Sequence, residues 1–189
     1  MTSFVYSTAT TITGHIADQN HSLDWLFAVE STDVGIENRL DTSGALVMGR
    51  STYEWLLAHE DVLDNPEKWL GFSGERPVFL FTTSEVKLPE RSDIRVRRGD
   101  VAEVLPEIRE AAGDADVWIV GGGDLAGQFS DAGALDEIEL HLMPVALDGG
   151  QPVFPRRVES DRLSLIDARK AGQISWLRFA VDAPGRADA

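Results

Sequence analysis

Three short stretches carry residues suited to holding an anion. Residues 117–129 read VWIVGGGDLAGQF. An apolar run of strand type ends at Val120 and meets Gly121, Gly122 and Gly123; Asp124, Leu125 and Ala126 follow. Gly121, Gly123 and Ala126 satisfy the spacing G-x-G-x-x-A, in which glycines let the backbone approach a pyrophosphate and a helix N-terminus supplies free N–H groups. A second strand-to-helix turn lies at Val47-Met48-Gly49-Arg50-Ser51-Thr52-Tyr53-Glu54. Here Ser51 and Thr52 can cap the helix, and Arg50 adds a fixed positive charge. The third stretch, Phe81-Thr82-Thr83-Ser84, places three hydroxyls after a buried strand. Those hydroxyls could serve a phosphate or ribose, or could satisfy a turn.

The elements that must position these residues alternate in type. Strands are expected at Phe4–Thr10, Ala45–Met48, Val78–Thr82, Ile94–Arg97 and Val117–Val120. Helices are expected at Asp24–Val29, Gly35–Leu40, Ser51–His59, Val101–Ala112 and Leu125–Ala132. Residues 61–75, with Pro66 and two glycines, read as irregular. From Asp136 the chain turns to strands without intervening helices: Ile138, Leu140 and Leu142 alternate with polar neighbours, and Leu163, Leu165 and Ile174–Val181 follow. Continuously apolar strands are buried on both faces, so helices must cover a mostly parallel sheet. The expectation is a three-layer α/β domain with a mixed sheet of about eight strands and antiparallel C-terminal strands. All three stretches then share the carboxyl edge of that sheet, where open α/β sheets bind ligands.

The 189 residues are read as one domain over 1–182 with a polar tail at 183–189. There are no cysteines, which fits a reducing cytoplasm and excludes disulfides and thiolate chemistry. The N-terminus does not read as a signal peptide, and no apolar run is long enough to span a membrane. A formal net charge of −15 argues against nucleic acid as a partner. It leaves room for one phosphate-bearing small molecule held by local N–H groups and an arginine. The four histidines lack metal-site spacing, so no metal is expected.

With the three stretches goes a wider pattern: TTITGHIAD at 10–18, SLDWL at 22–26, ALVMGRSTYEWL at 45–56, PVFLFTTS at 77–84, and ALDEIELHLMPVALDGGQPVFP at 134–155. In this order they resemble the dihydrofolate reductase-like superfamily, and within it the reductase domain of bacterial riboflavin biosynthesis, the RibD C-terminal domain type, as a stand-alone member. The resemblance implies NADPH as cofactor, hydride transfer to a small heterocycle such as a pterin or pyrimidine, and a homodimer. It implies that Gly49, Arg50, Ser51 and Thr52 sit by the 2′-phosphate and pyrophosphate, and that Thr82, Thr83 and Ser84 line the adenosine side. Val120, Gly121, Gly122, Gly123, Asp124 and Leu125 would hold the pyrophosphate, with a cis peptide between Gly122 and Gly123. Ile16 and Ala17 would lie near the nicotinamide.

The substrate end departs from its relatives. Where they commonly carry Ser-Leu-Asp-Gly, this chain has Thr11-Ile12-Thr13-Gly14. Thr13 can hydrogen-bond but supplies no carboxylate. Thr13 and Asp24 are the candidates for the catalytic proton side, and Thr13, His15 and Trp25 for the substrate pocket. His21 reads as loop surface and His141 as a structural strand residue. Two other readings stand beside the reductase: a nucleotide-binding or regulatory module without turnover, and a Rossmann dehydrogenase resting on residues 121–126. The Rossmann fingerprint normally opens a domain and has an acidic residue about 20 positions on, and neither holds here.

Overall fold

The computed structural model describes residues 2–29 and 36–182. Its centre is an eight-stranded sheet in the order β5-β4-β3-β6-β1-β7-β10-β9. These strands are β5 (Ile94–Arg97), β4 (Val78–Phe81), β3 (Ser43–Gly49), β6 (Asp116–Gly121), β1 (Phe4–Thr11), β7 (Glu137–Met143), β10 (Ile174–Val181) and β9 (Leu163–Ala171). The first six run parallel to their neighbours, and β10 pairs antiparallel with both β7 and β9. This is the mixed, mostly parallel sheet that the apolar runs imply. It excludes the Rossmann reading, because the strand after the glycine turn, β7, is separated from β6 by the N-terminal strand β1, whereas a Rossmann unit sets those two strands side by side.

Burial divides each central strand by parity, as a pleated strand must. In β3, Ala45 and Val47 join Phe4, Tyr6, Phe79, Val117 and Ile119 in one core. Leu46 and Met48 join Val78, Leu80 and Trp118 in the other. Helices α5 (Val101–Ala112) and α6 (Gly123–Asp131) cover the first core with Val104, Ile108, Leu125 and Phe129. Helices α3 (Arg50–Glu60) and α4 (Pro66–Ser73) cover the second with Tyr53 and Trp69. The strands β3, β4 and β6 are therefore dry on both faces, which is why their apolar runs are continuous.

Helix α4 corrects the irregular reading of 61–75. Pro66 sits at the start of the helix, where its missing N–H costs nothing and its fixed φ favours the first turn. Trp69 and Phe72, three residues apart, then face the second core, and Gly74, at φ 62°, ends the helix. Helix α1 is shorter than expected, Asp24–Phe27, and α2 occupies Ile36–Thr42, the expected start at Gly35 lying outside the described residues. The strand pair β2 (His15–Ala17) and β8 (Gln151–Pro152) forms a separate small antiparallel sheet. It is too short to show a period in the sequence.

Beyond the second core, the same face of the sheet is polar and still buried. Arg39 on α2 is 8% exposed, and its guanidinium donates to Glu139 on β7 and, at 3.3 Å, to Asp116 on β6. Ser7 donates to Glu139 at 2.9 Å, and Nε2 of the fully buried His141 lies 3.3 Å from the same carboxylate. Burial pushes the Glu139 carboxyl up, but the His141 hydrogen bond and the Arg39 charge pull it further down, to about 2. A carboxyl depressed from its usual 4.5 stabilises the fold above that pH and loses this contribution as pH falls through about 2. Replacing Arg39 by Met leaves a buried, uncompensated carboxylate. Urea titration at pH 7 should show a loss of roughly 3 kcal/mol, and the gap to the parent protein should narrow as pH falls from 4.5 towards 2.

Candidate active site

A cavity of about 570 Å³ crosses the carboxyl ends of β5, β4, β3, β6 and β1 in the order in which the sheet presents them. At β5 it is lined by Arg97, Arg98 and Gly99; at β4 by Phe81, Thr82 and Thr83; at β3 by Gly49, Arg50, Ser51 and Thr52. Val120, Gly121, Gly122, Gly123, Asp124 and Leu125 follow at β6, and Thr8 at β1.

Its middle is built from two helix N-termini. Both α3 and α6 have a glycine N-cap in extended conformation, Gly49 and Gly122, and neither has a side-chain cap. Ser51 and Thr52, expected as caps, lie inside the first turn of α3. Helix α5, outside the cavity lining, is closed instead by Asp100, whose carboxylate accepts from Ala102 N at 2.9 Å. Uncapped first-turn N–H groups and the positive helix ends thus converge on one stretch of cavity wall. The glycine run turns sharply there. The cis peptide lies between Gly121 and Gly122, one bond earlier than expected, because Gly123 already belongs to α6. Gly123 must be glycine for another reason: a Cβ there would stand 2.3 Å from the Val153 carbonyl oxygen and 2.5 Å from that of Pro152.

The β5–β3 end carries positive charge. Arg50 donates from Nε to Glu54 at 2.6 Å and from Nη1 to Ser84 Oγ at 2.6 Å, so it bridges α3 to the turn after β4. Ser84 itself is outside the lining and acts through this bond. Arg97 is tied to Glu107 on α5, and Arg98 is exposed at the rim. Asp124 is the carboxylate in the lining; hydrogen bonds from Gln128 and Arg156 hold it below the usual range.

The β1 end is mostly apolar. Ile16, Ala17, Leu23, Trp55 and Leu56 line it together with Thr8 and His21. Trp55 is stacked on His59, with ring centroids 4.5 Å apart and planes 16° apart, and His59 is stacked on Phe27 at 4.9 Å. The β2–β8 pair closes over this end and contributes Gln151 and Pro152 to the wall.

Ile16, Ala17 and the glycine, threonine and arginine positions named from the sequence therefore come together. Thr13, His15, Asp24 and Trp25 do not line the cavity. Thr13 Oγ1 donates to Leu147 O and accepts from Leu147 N, both at 3.0 Å, and also meets Thr11 and His15 Nδ1. Its hydroxyl pins the 11–15 turn to the 145–147 segment and offers no proton to the cavity. Asp24 is exposed at the start of α1, and Trp25 Nε1 is buried with no partner among the described residues. Sequence reasoning missed Arg97, Arg98, His21, Leu23, Trp55 and Leu56. The arginines carried a usable signal, since they end a strand like the other three stretches.

A family model described as the RibD C-terminal domain matches residues 59–173. The chain belongs to that family. YwjB of Bacillus subtilis (strain 168), an uncharacterised protein, is 27% identical over 172 residues, covering 90% of this chain and 93% of its own. Among solved structures, a protein from Shewanella sp. PV-4 attributed to riboflavin biosynthesis superposes with a TM-score of 0.71 at 22% identity, over 96% of this chain and 99% of that one. Dihydrofolate reductase from Enterococcus faecalis, in complex with NADP(H), superposes with a TM-score of 0.60 at 15% identity, over 95% and 96%. The fold is the three-layer, reductase-like α/β fold of dihydrofolate reductases.

The close approach at Gly123 makes a direct test. Gly123→Ala should lower unfolding free energy by roughly 2 kcal/mol or more, since backbone carbonyls have to move. Gly71→Ala, in α4 with nothing within 4 Å of the added methyl, should instead stabilise by about 0.5 kcal/mol or more. Thermal melts of the two variants should shift in opposite directions.

Proposed function

We propose that the chain is an NADPH-dependent reductase acting on a small heterocyclic substrate of pterin or pyrimidine type. The observation that carries this reading is the polarity of the cavity along the sheet edge: arginines at one end, two uncapped helix N-termini in the middle, an apolar wall at the other. Those features suit, in order, a terminal phosphate, a pyrophosphate and an uncharged ring. On this reading the turns at Gly49–Thr52 and Gly121–Leu125 hold the pyrophosphate, and Thr82 and Thr83 the adenosine side. Arg50 and Arg98 serve the 2′-phosphate, and Ile16 and Ala17 flank the nicotinamide. The bound cofactor supplies hydride; the protein's part is orientation and exclusion of water. The reading also includes a single domain over residues 1–182, a cytoplasmic setting and a homodimer. Leu165 and Ile166 on β9, 56% and 50% exposed, offer apolar surface for a second copy.

A module without turnover is the second reading. It is favoured by the engaged hydroxyl of Thr13 and the exposed position of Asp24, which leave the β1 end without either expected proton donor. Fluorescence titration with NADPH and NADH separates cofactor use from simple fold likeness. NADPH should bind saturably and more tightly than NADH. Arg50→Ala and Arg98→Ala should each weaken NADPH about tenfold or more, the worth of one charged hydrogen bond, with a much smaller effect on NADH. Absence of saturable NADPH binding rejects the reading, and equal losses for both cofactors reject the roles of the two arginines.

A further inference from the structure

Of the four histidines, His21 is the one that lines the cavity. His141 is buried against Glu139, His59 lies in the stack behind Trp55, and His15 Nδ1 meets Thr13. His21 sits among Ile16, Ala17, Leu23 and Trp55, and among the described lining residues it is the titratable group at the β1 end. The others are Arg97 on β5, Arg98 directly after it, Arg50 on α3 and Asp124 on α6.

The backbone under His21 is built to hold it there. Its φ is 61°, a left-handed conformation that non-glycine residues rarely adopt. The loop closes around Asp18: its carboxylate accepts from Asn20 N at 2.7 Å and Ser22 N at 2.8 Å, its N–H donates to Ser22 O at 3.1 Å, and its carbonyl accepts from His21 N at 3.1 Å. Glycine would occupy that left-handed position at lower cost. His21 is exposed and also lines the cavity, so its ring meets both that space and water.

We propose that His21 is the catalytic proton donor of this site, taking the role that neither Thr13 nor Asp24 is placed to fill. The inference rests on the reductase reading. Reduction of a C=N bond needs a hydride at carbon and a proton at nitrogen. As carbon receives the hydride from the nicotinamide, the π pair moves to nitrogen and takes the proton from the imidazolium N–H. The N–H bond of His21 breaks, the substrate N–H bond forms, and the neutral imidazole regains its proton from water at the exposed loop. A protonated imidazole donates from both ring nitrogens, so one N–H can meet a substrate acceptor, a ring nitrogen or a carbonyl oxygen, while the other stays with water.

The test uses the full chain, NADPH, and 7,8-dihydropterin, which carries a reducible C=N bond. In single-turnover measurements His21→Ala should slow hydride transfer about 100-fold, the usual worth of general acid catalysis. NADPH affinity should stay within about twofold of the parent, and added imidazole should restore part of the rate, a rescue that a merely structural role would not give. In the NADP⁺-loaded protein, dihydropterin should shift the imidazole resonances that His21→Gln removes. A His21→Ala protein that turns over within about threefold of the parent overturns the proposal. So does bound dihydropterin that leaves the His21 resonances unmoved, and so does failure of dihydropterin to bind the NADP⁺-loaded protein. Loss of the reductase reading shows separately, as absent NADPH binding by the parent, and takes this proposal with it.

Discussion

The site depends on a backbone contact: the start of α6 lies directly under the 152–153 segment, with no room for a side chain at Gly123. This approach brings the edge of the 150s loop over the glycine turn. It also fixes the small sheet, because Val153 N donates to Gly14 O at 2.9 Å and Tyr6 donates from its hydroxyl to Val153 O at 2.8 Å. The 14–17 segment, the 150s loop, β1 and α6 are thereby locked to one another. On the other side, Gly49 faces the carbonyl of Gly121, so the turns of α3 and α6 also pack backbone to backbone. Two helix ends can converge on one cavity only where the residues between them lack side chains.

The dry sheet supplies the rigidity that this arrangement needs. Because β3, β4, β6 and β1 are buried on both faces, their carboxyl ends cannot shift singly without opening one of the two cores. Function is confined to the edge where each strand gives way to a turn. The Arg39–Glu139–His141 cluster extends the same constraint to β7, where the sheet face is polar. A buried charge group of this kind fixes which helix sits on which strands, since any other pairing would strand a charge in the interior.

The fold was legible because its signals are long. Continuous apolar runs identified the parallel strands, and helical spacing identified α3 and α5. What failed was short or ambiguous. Pro66 and two glycines make 61–75 read as irregular, although at the first turn of a helix a proline is a start signal. The β2–β8 pair rests on tertiary contact alone, and the register of the cis bond depends on where α6 begins. At the site, the glycines and hydroxyls were legible because their chemistry is local to one turn. The β1 end was not, because its wall is assembled from α3, the 18–23 loop and the 150s segment. No spacing within one of these reveals that Trp55 and His21 meet the same space. Thr13 shows the converse: its position drew attention, but its hydroxyl is consumed by Leu147.

Charge raises a last question, how a chain of net charge −15 could hold an anionic ligand. Many of its acidic groups are spoken for by near neighbours. Glu107 lies against Arg97, Asp124 and Asp131 against Arg156, Glu137 against Arg178, and Glu139 against Arg39. Paired charges present dipoles whose fields fall off within a few ångströms, and those that remain unpaired are screened over about 8–10 Å. Inside the cavity the fixed sources are closer than that: helix ends at Gly49 and Gly122, Arg98 at the rim, and the guanidinium of Arg50, which shares its charge with Glu54. Asp124, the carboxylate in the lining, is bridged from outside it by Arg156, which Asp131 shares. The global charge therefore governs solubility and repels polyanions. The local arrangement determines what a small phosphate-bearing molecule meets at the sheet edge.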